Sequence, residues 1–199
     1  LSGRGSVKQN YKSRSRFTPS YLPQKVKLPH HLRATISLPS SKSICNRALI
    51  IAALSGKQTQ LQNLSDCDDT RVLVRALQSE AEEINIMAAG TAMRFSTAFF
   101  STVSGTRIVT GTERMRQRPI GVLVDALRKL GAQIEYVDAE GFPPLRISGK
   151  LLKGGSIELP AHVSSQYISA LLMVGPTLAE GLHLHLEGTI ISRPYIDMT

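Results

Sequence analysis

The sequence predicts an α/β domain made of three copies of one unit, and two observations carry that reading. First, an apolar helix with small polar caps and a glycine stop occurs three times, at residues 41–56 (SKSICNRALIIAALSG), 89–105 (AGTAMRFSTAFFSTVSG) and 164–181 (SSQYISALLMVGPTLAEG). Second, each such helix is followed by a short strand and then a helix of a different kind, amphipathic rather than apolar all round. Repeats of this sort are supersecondary units that bury their apolar faces only against their neighbours. A helix without a polar side belongs inside a domain, so the three apolar helices are expected in the core and the amphipathic ones outside.

Taken in order, residues 1–25 form a Ser/Arg/Lys-rich stretch with little periodicity, expected to be poorly ordered. The folded part is expected from residue 26 to residue 199. Its strands are read at 34–38, 59–64, 107–110, 133–137, 145–147, 156–159 and 182–186. The last, LHLHL, alternates strictly and sets His183 and His185 on one face. A solvated face is the preferred reading, because no third metal ligand sits nearby in sequence. The outer helices are read at 68–83 and 118–130, where apolar residues recur at helical spacing opposite charges. A third begins at Arg193-Pro194, echoing Arg118-Pro119, and the sequence stops inside it. The third unit is therefore expected to be truncated.

Composition narrows the function classes. The net charge of +9 is unevenly placed: eleven of the 24 basic residues, and none of the 15 acidic ones, precede Asp66. A nucleic-acid protein carries its positive patch on the folded domain, whereas much of this charge sits in a tail, so nucleic acid is disfavoured as a partner. No apolar run reaches the roughly eighteen residues that a membrane span requires. Cys45 and Cys67 fit no metal or redox spacing, and a reducing cytoplasm is the default compartment. Cys45, within an apolar helix, reads as a packed thiol.

The chemistry gathers at the starts of the inner helices. The first supplies Lys42, Ser43 and Arg47; the second Gly90, Thr91 and Arg94; the third Ser164, Ser165 and Gln166. A helix N-terminus presents unpaired N–H groups and a partial positive charge, which together seat a phosphate or carboxylate. Ordinary capping accounts for Ser41 and Ser164. It does not account for Lys42 and Arg47, since cations in the first turns oppose the dipole. If the three helices run parallel, their ends form one face for a ligand with at least two negative groups. The stretch Glu113-Arg114-Met115-Arg116-Gln117-Arg118, if extended, would add three guanidinium groups on one side. Asp68-Asp69-Thr70 reads as a helix cap, or as a partner for a nearby arginine.

SKSICNRAL, AAGTAMR, GTERMRQRPIGVLVDALRKLGA, SSQYISALLM and ISRPYIDMT resemble, in order and spacing, the signatures of the first half of the EPSP synthase family of enolpyruvyl transferases. The resemblance implies a domain of three repeated units with parallel inner helices and outer mixed sheets, the second domain being absent. It implies transfer of the enolpyruvyl group of phosphoenolpyruvate to the 5-hydroxyl of shikimate 3-phosphate, by addition then elimination, with no metal or organic cofactor. Shikimate 3-phosphate would be held by Ser43, Arg47, Ser164, Ser165, Gln166, Ser192 and Tyr195. Phosphoenolpyruvate would meet Lys42, Gly90, Arg114 and Gln166, with Thr91, Arg94 and Arg118 as further candidates. Lys42 would be the one catalytic group present, as the family's principal acid/base carboxylates lie in its second domain. The 199-residue chain alone is thus expected to bind weakly and not to turn over.

Three departures from the family pattern stand out. Ala88 replaces a frequent Asn, Phe95 replaces a frequent Pro, and the segment around residues 83–87 is short, as if a surface hairpin were trimmed. Loss of the amide at Ala88 is expected to alter contacts with inhibitors such as glyphosate. The sister family acting on UDP-N-acetylglucosamine is the nearest alternative, but it relies on a reactive loop cysteine that neither Cys45 nor Cys67 matches. A non-catalytic anion- or RNA-binding fragment is the alternative from another class.

Overall fold

The computed structural model describes Arg33, Thr35 and residues 38–57 and 59–199. Leu38–Thr199 forms one compact unit. The basic stretch 1–25, the boundary expected after it and most of the strand expected at 34–38 lie outside the described residues.

The three apolar helices form as read: α1 (Lys42–Leu54), α3 (Gly90–Thr102) and α6 (Ser165–Val174), the last running into a 3-10 turn at Gly175–Thr177. The Ser41 hydroxyl accepts the Ile44 N–H at 3.4 Å and the Ser164 hydroxyl accepts the Gln166 N–H at 3.3 Å, so both serines act as N-caps. Helix α3 is the axis of the core, buried without interruption from Gly90 to Ser101. Helix α1 departs from the expected all-round burial: Cys45, Asn46, Arg47 and Ile50 face inward while Ile44 and Ile51 are exposed. Nothing among the described residues covers that outer side.

The amphipathic helices are α2 (Asp68–Gln78), α5 (Gly121–Lys129) and the short α7 (Arg193–Asp197). Helix α2 buries Thr70, Val72, Leu73 and Ala76, a spacing that keeps one stripe against α1 and α3. Both long outer helices are shorter than read. Helix α2 stops at Gln78, and Glu83–Asn85 is instead a strand, β1, where a trimmed hairpin was expected. Helix α5 starts at Gly121 because Pro119 interrupts the run; a separate helical turn, α4 (Glu113–Arg116), precedes it.

Strand β1 pairs in parallel with β2 (Gly105–Thr110), which pairs antiparallel with β4 (Leu145–Gly149), itself antiparallel to β3 (Gln133–Tyr136). Strands β5 (Gly155–Pro160) and β6 (Leu182–Glu187) form a parallel pair. These are the mixed outer sheets expected. Ile84, Val109, Ile134, Leu145, Ile147, Ile157 and Leu159 turn inward onto the helices, each burial stabilising by about 1.5–3 kcal/mol. His183 and His185 lie exposed on β6, opposite Ser156 and Glu158. The strand expected at 59–64 does not form: Asn63 adopts φ 55°, a left-handed backbone that breaks an extended run, and no strand among the described residues lies beside it.

Strand β4 rests directly on the end of α3. A Cβ at Gly149 would overlap the carbonyl oxygens of Phe100 and Val103, and the next N–H, of Lys150, donates to the Ser101 carbonyl at 3.1 Å.

Candidate active site

Hydrogen bonds between the inner helices fix their relative direction. In the first turns, the Gln166 side-chain amide donates to the Thr91 hydroxyl at 3.1 Å, joining α6 to α3. One turn deeper, the Arg47 guanidinium of α1 stands 5.5 Å from the centre of the Phe95 ring of α3 and donates to the Ser169 hydroxyl of α6 at 2.7 Å. Residues at equal depth meet, so the three helices run parallel and their N-termini share one face. The condition left open by the sequence is met.

Two arginines of this face are buried and held by the protein itself. Arg47 donates from Nη1 to the Ser43 carbonyl at 2.9 Å, from Nη2 to the Tyr195 carbonyl at 2.9 Å and from Nε to the Thr199 hydroxyl at 2.7 Å. Donation to its own helix's carbonyl offsets the unfavourable placement near a positive dipole end. Arg94 donates from Nη1 to the Gly90 carbonyl at 3.2 Å and from Nη2 to the Pro119 carbonyl at 3.0 Å, with the Tyr167 ring centre 5.9 Å away. Burial lowers the pKa of both guanidinium groups from the ordinary arginine value.

Arg114 and Arg118 are the reverse case. Both are exposed, and with Ala88 and Met115 they line a cleft of about 480 Å³. Neither forms an ion pair among the described residues, while Arg116 pairs with Asp138 at 3.9 Å and donates to the Gly111 carbonyl at 3.3 Å. The extended geometry expected for this stretch is thus corrected. One helical turn at α4 rotates Arg116 away and leaves Arg114 and Arg118 together, four residues apart on one side. The Arg118 guanidinium lies against Gly90 so closely that a Cβ there would overlap it. Glycine at this position lets a second cation approach the start of α3, an arrangement that calls for an anion between them.

Lys42 pairs with Asp69 at 3.5 Å, so the acid pair's partner is a lysine and not the expected arginine; the α2 N-cap position belongs to Cys67. Ser43, Ser165 and Gln166 are half-buried at the face, and Ser164 is exposed beside them. Ser192 precedes α7 in a left-handed conformation, φ 59°, and Tyr195 is exposed, contributing its carbonyl to Arg47. Cys45 is buried and its sulfur accepts the Ser65 N–H at 3.2 Å, the packed thiol expected. Three contributors were missed in the sequence: Ser169, Tyr167 and the Pro119 carbonyl. Tyr167 follows Gln166 directly, and a phenol in an apolar helix is a signal that a buried hydroxyl needs a partner.

The fold and this face together define a repeat-built α/β domain that receives small, multiply charged anions. The chain belongs to the EPSP synthase (3-phosphoshikimate 1-carboxyvinyltransferase) family, whose profile matches residues 26–79 and 75–199. A Bacteroides fragilis (strain YCH46) 3-phosphoshikimate 1-carboxyvinyltransferase is 63% identical over 171 residues, covering 86% of this chain and 42% of its own length. One from Sulfurovum sp. (strain NBC37-1) is 40% identical over 195 residues, covering 85% of this chain and 46% of its own. The solved EPSP synthase from Acinetobacter baumannii shares the fold, with a TM-score of 0.71 at 21% identity over 81% of this chain and 42% of that one. The chain therefore spans less than half the length of these relatives. No helix among the described residues is long and apolar enough to cross a membrane.

Proposed function

We propose that the chain supplies one half of the active site of a 3-phosphoshikimate 1-carboxyvinyltransferase, acting in the cytoplasm on shikimate 3-phosphate and phosphoenolpyruvate. The observation that carries this reading is the pair of unpaired guanidinium groups, Arg114 and Arg118, set against the N-terminus of α3 at Gly90. Two cations beside unpaired helix N–H groups fit a compact ligand carrying both phosphate and carboxylate. Arg114, Gly90, Lys42 and Gln166 take phosphoenolpyruvate in this reading. Ser43, Arg47, Ser164, Ser165, Gln166, Ser192 and Tyr195 take shikimate 3-phosphate. Of the further candidates, Arg118 and Thr91 border the anion face, while Arg94 is turned inward and acts without touching ligand.

Lys42 keeps its ammonium at the face through Asp69, where it offsets the negative charge of phosphoenolpyruvate. The proton transfers of addition and elimination belong to carboxylates outside this chain. The test is titration of shikimate 3-phosphate and phosphoenolpyruvate into the 199-residue chain, with and without the second half of the Bacteroides fragilis relative. Weak binding alone, tighter binding with the second half, and turnover only with both are expected. EPSP formation by the chain alone would contradict the division of labour, and absence of binding in both arms would refute the site.

A further inference from the structure

Two buried side chains from two different inner helices converge on a single backbone atom. The Pro119 carbonyl accepts Arg94 Nη2 of α3 at 3.0 Å and the Tyr167 hydroxyl of α6 at 2.8 Å. Pro119 directly follows Arg118. We propose that Arg94 and Tyr167 are positioning residues that clamp the 112–119 segment, so that Arg114 and Arg118 point into the cleft beside Gly90. The proposal rests on the reading of that cleft as the phosphoenolpyruvate subsite.

The segment needs an outside anchor. Its own hydrogen bonds are local: Arg116 N–H to Thr112, Gln117 N–H to Glu113 and Arg118 N–H to Met115, at 3.0, 3.2 and 3.0 Å. An isolated helical turn of four residues has too few bonds to hold itself. Pro119 has no N–H to donate, so its carbonyl is the backbone handle available there. Arg94 supplies a charge-assisted bond from a desolvated guanidinium, stronger than a neutral one. Its Nη1 also lies 3.7 Å from the sulfur of Met115, which is buried at the centre of the turn.

Tyr167 supplies the second bond from a ring that is 8% exposed, where an unpaired hydroxyl would be costly. Because Gln166, its neighbour, bonds Thr91, one turn of α6 reaches both α3 and the arginine segment. The clamp therefore links the helix assigned to shikimate 3-phosphate with the segment assigned to phosphoenolpyruvate.

Tyr167→Phe removes only the hydroxyl and tests the clamp in the full 199-residue chain by amide hydrogen exchange. Loss of one such bond is expected to speed exchange at Arg118 and Ile120 by about tenfold, leaving α1 amides unchanged. Ser101→Ala serves as the control, because that hydroxyl donates to the Thr97 carbonyl within α3 at 2.7 Å and touches nothing in the segment. Phosphoenolpyruvate affinity, followed by NMR shifts of the Arg114 and Arg118 amides with the second half supplied, is expected to weaken about fivefold in Tyr167→Phe. Exchange that stays unchanged, or that accelerates equally everywhere, overturns the clamp; so does faster segment exchange with unaltered affinity. If phosphoenolpyruvate shifts no amide of the unsubstituted protein, the subsite reading fails, and the exchange comparison still decides whether the segment is clamped.

Discussion

Arg47 and Arg94 occupy the same place in successive repeats, and their surroundings begin alike. Each donates to the carbonyl four residues back in its own helix, each lies against an aromatic ring of the next inner helix, and each reaches a carbonyl at or just before an outer helix. The difference is in what that last contact holds. Arg94 secures Pro119, inside its own repeat and next to the free arginines of the cleft. Arg47 secures Tyr195 and Thr199, in the third repeat and close to solvent. One repeated device thus serves two ends: closing the ring of helices in one copy, and holding the anion-binding segment in the other. Position in a repeat specifies the geometry of an arginine, and the acceptor it meets specifies its use.

The ring beneath Arg47 gives the most severe way to break the comparison. Phe95 is fully buried, and Phe95→Ala is expected to cost about 3–5 kcal/mol in chemical unfolding, removing the platform of Arg47 and leaving that of Arg94 in place. The two arginines themselves sharpen it. Arg94→Met should lose about 3 kcal/mol, because its acceptors are shielded from water, and Arg47→Met about 1–2 kcal/mol, because Tyr195 and Thr199 can be rehydrated. Equal losses from the two substitutions would show that exposure of the acceptor does not separate them. Smallest is the surface pair of the same face: Lys42 is about half exposed, so Asp69→Asn should change stability by less than about 1 kcal/mol and show its effect in phosphoenolpyruvate affinity instead.

Much of this was legible because periodicity reports burial. The all-apolar run at α3 and the striped run at α2 each read correctly as inner and outer helix. Five strands stood where alternation or a short apolar run placed them. What failed were elements decided by partners distant in sequence. Glu83–Asn85 has no strand pattern of its own and becomes β1 because the edge of β2 is free to pair with it. Residues 59–64 have a suitable pattern but no neighbouring strand. At the site, Lys42, Arg47 and Arg114 were legible because cations near helix starts contradict the dipole and so call for a reason. The Pro119 carbonyl was not, since every residue carries one and only packing selects it. Extended alternation was the wrong period for residues 113–118, where one turn of helix separates Arg116 from Arg114 and Arg118.

The absence of a side chain at Gly149 has a consequence for how the second repeat forms. Its strand lies on the carbonyls that end α3, and Lys150 supplies the N–H that Ser101 would otherwise lack. The central helix therefore borrows its terminus from a strand nearly fifty residues later, and neither element is complete before the other arrives. The second repeat then behaves as one cooperative block that opens and closes as a whole, and a cut placed between α3 and β4 would divide the chain at the point where its halves are least able to stand apart.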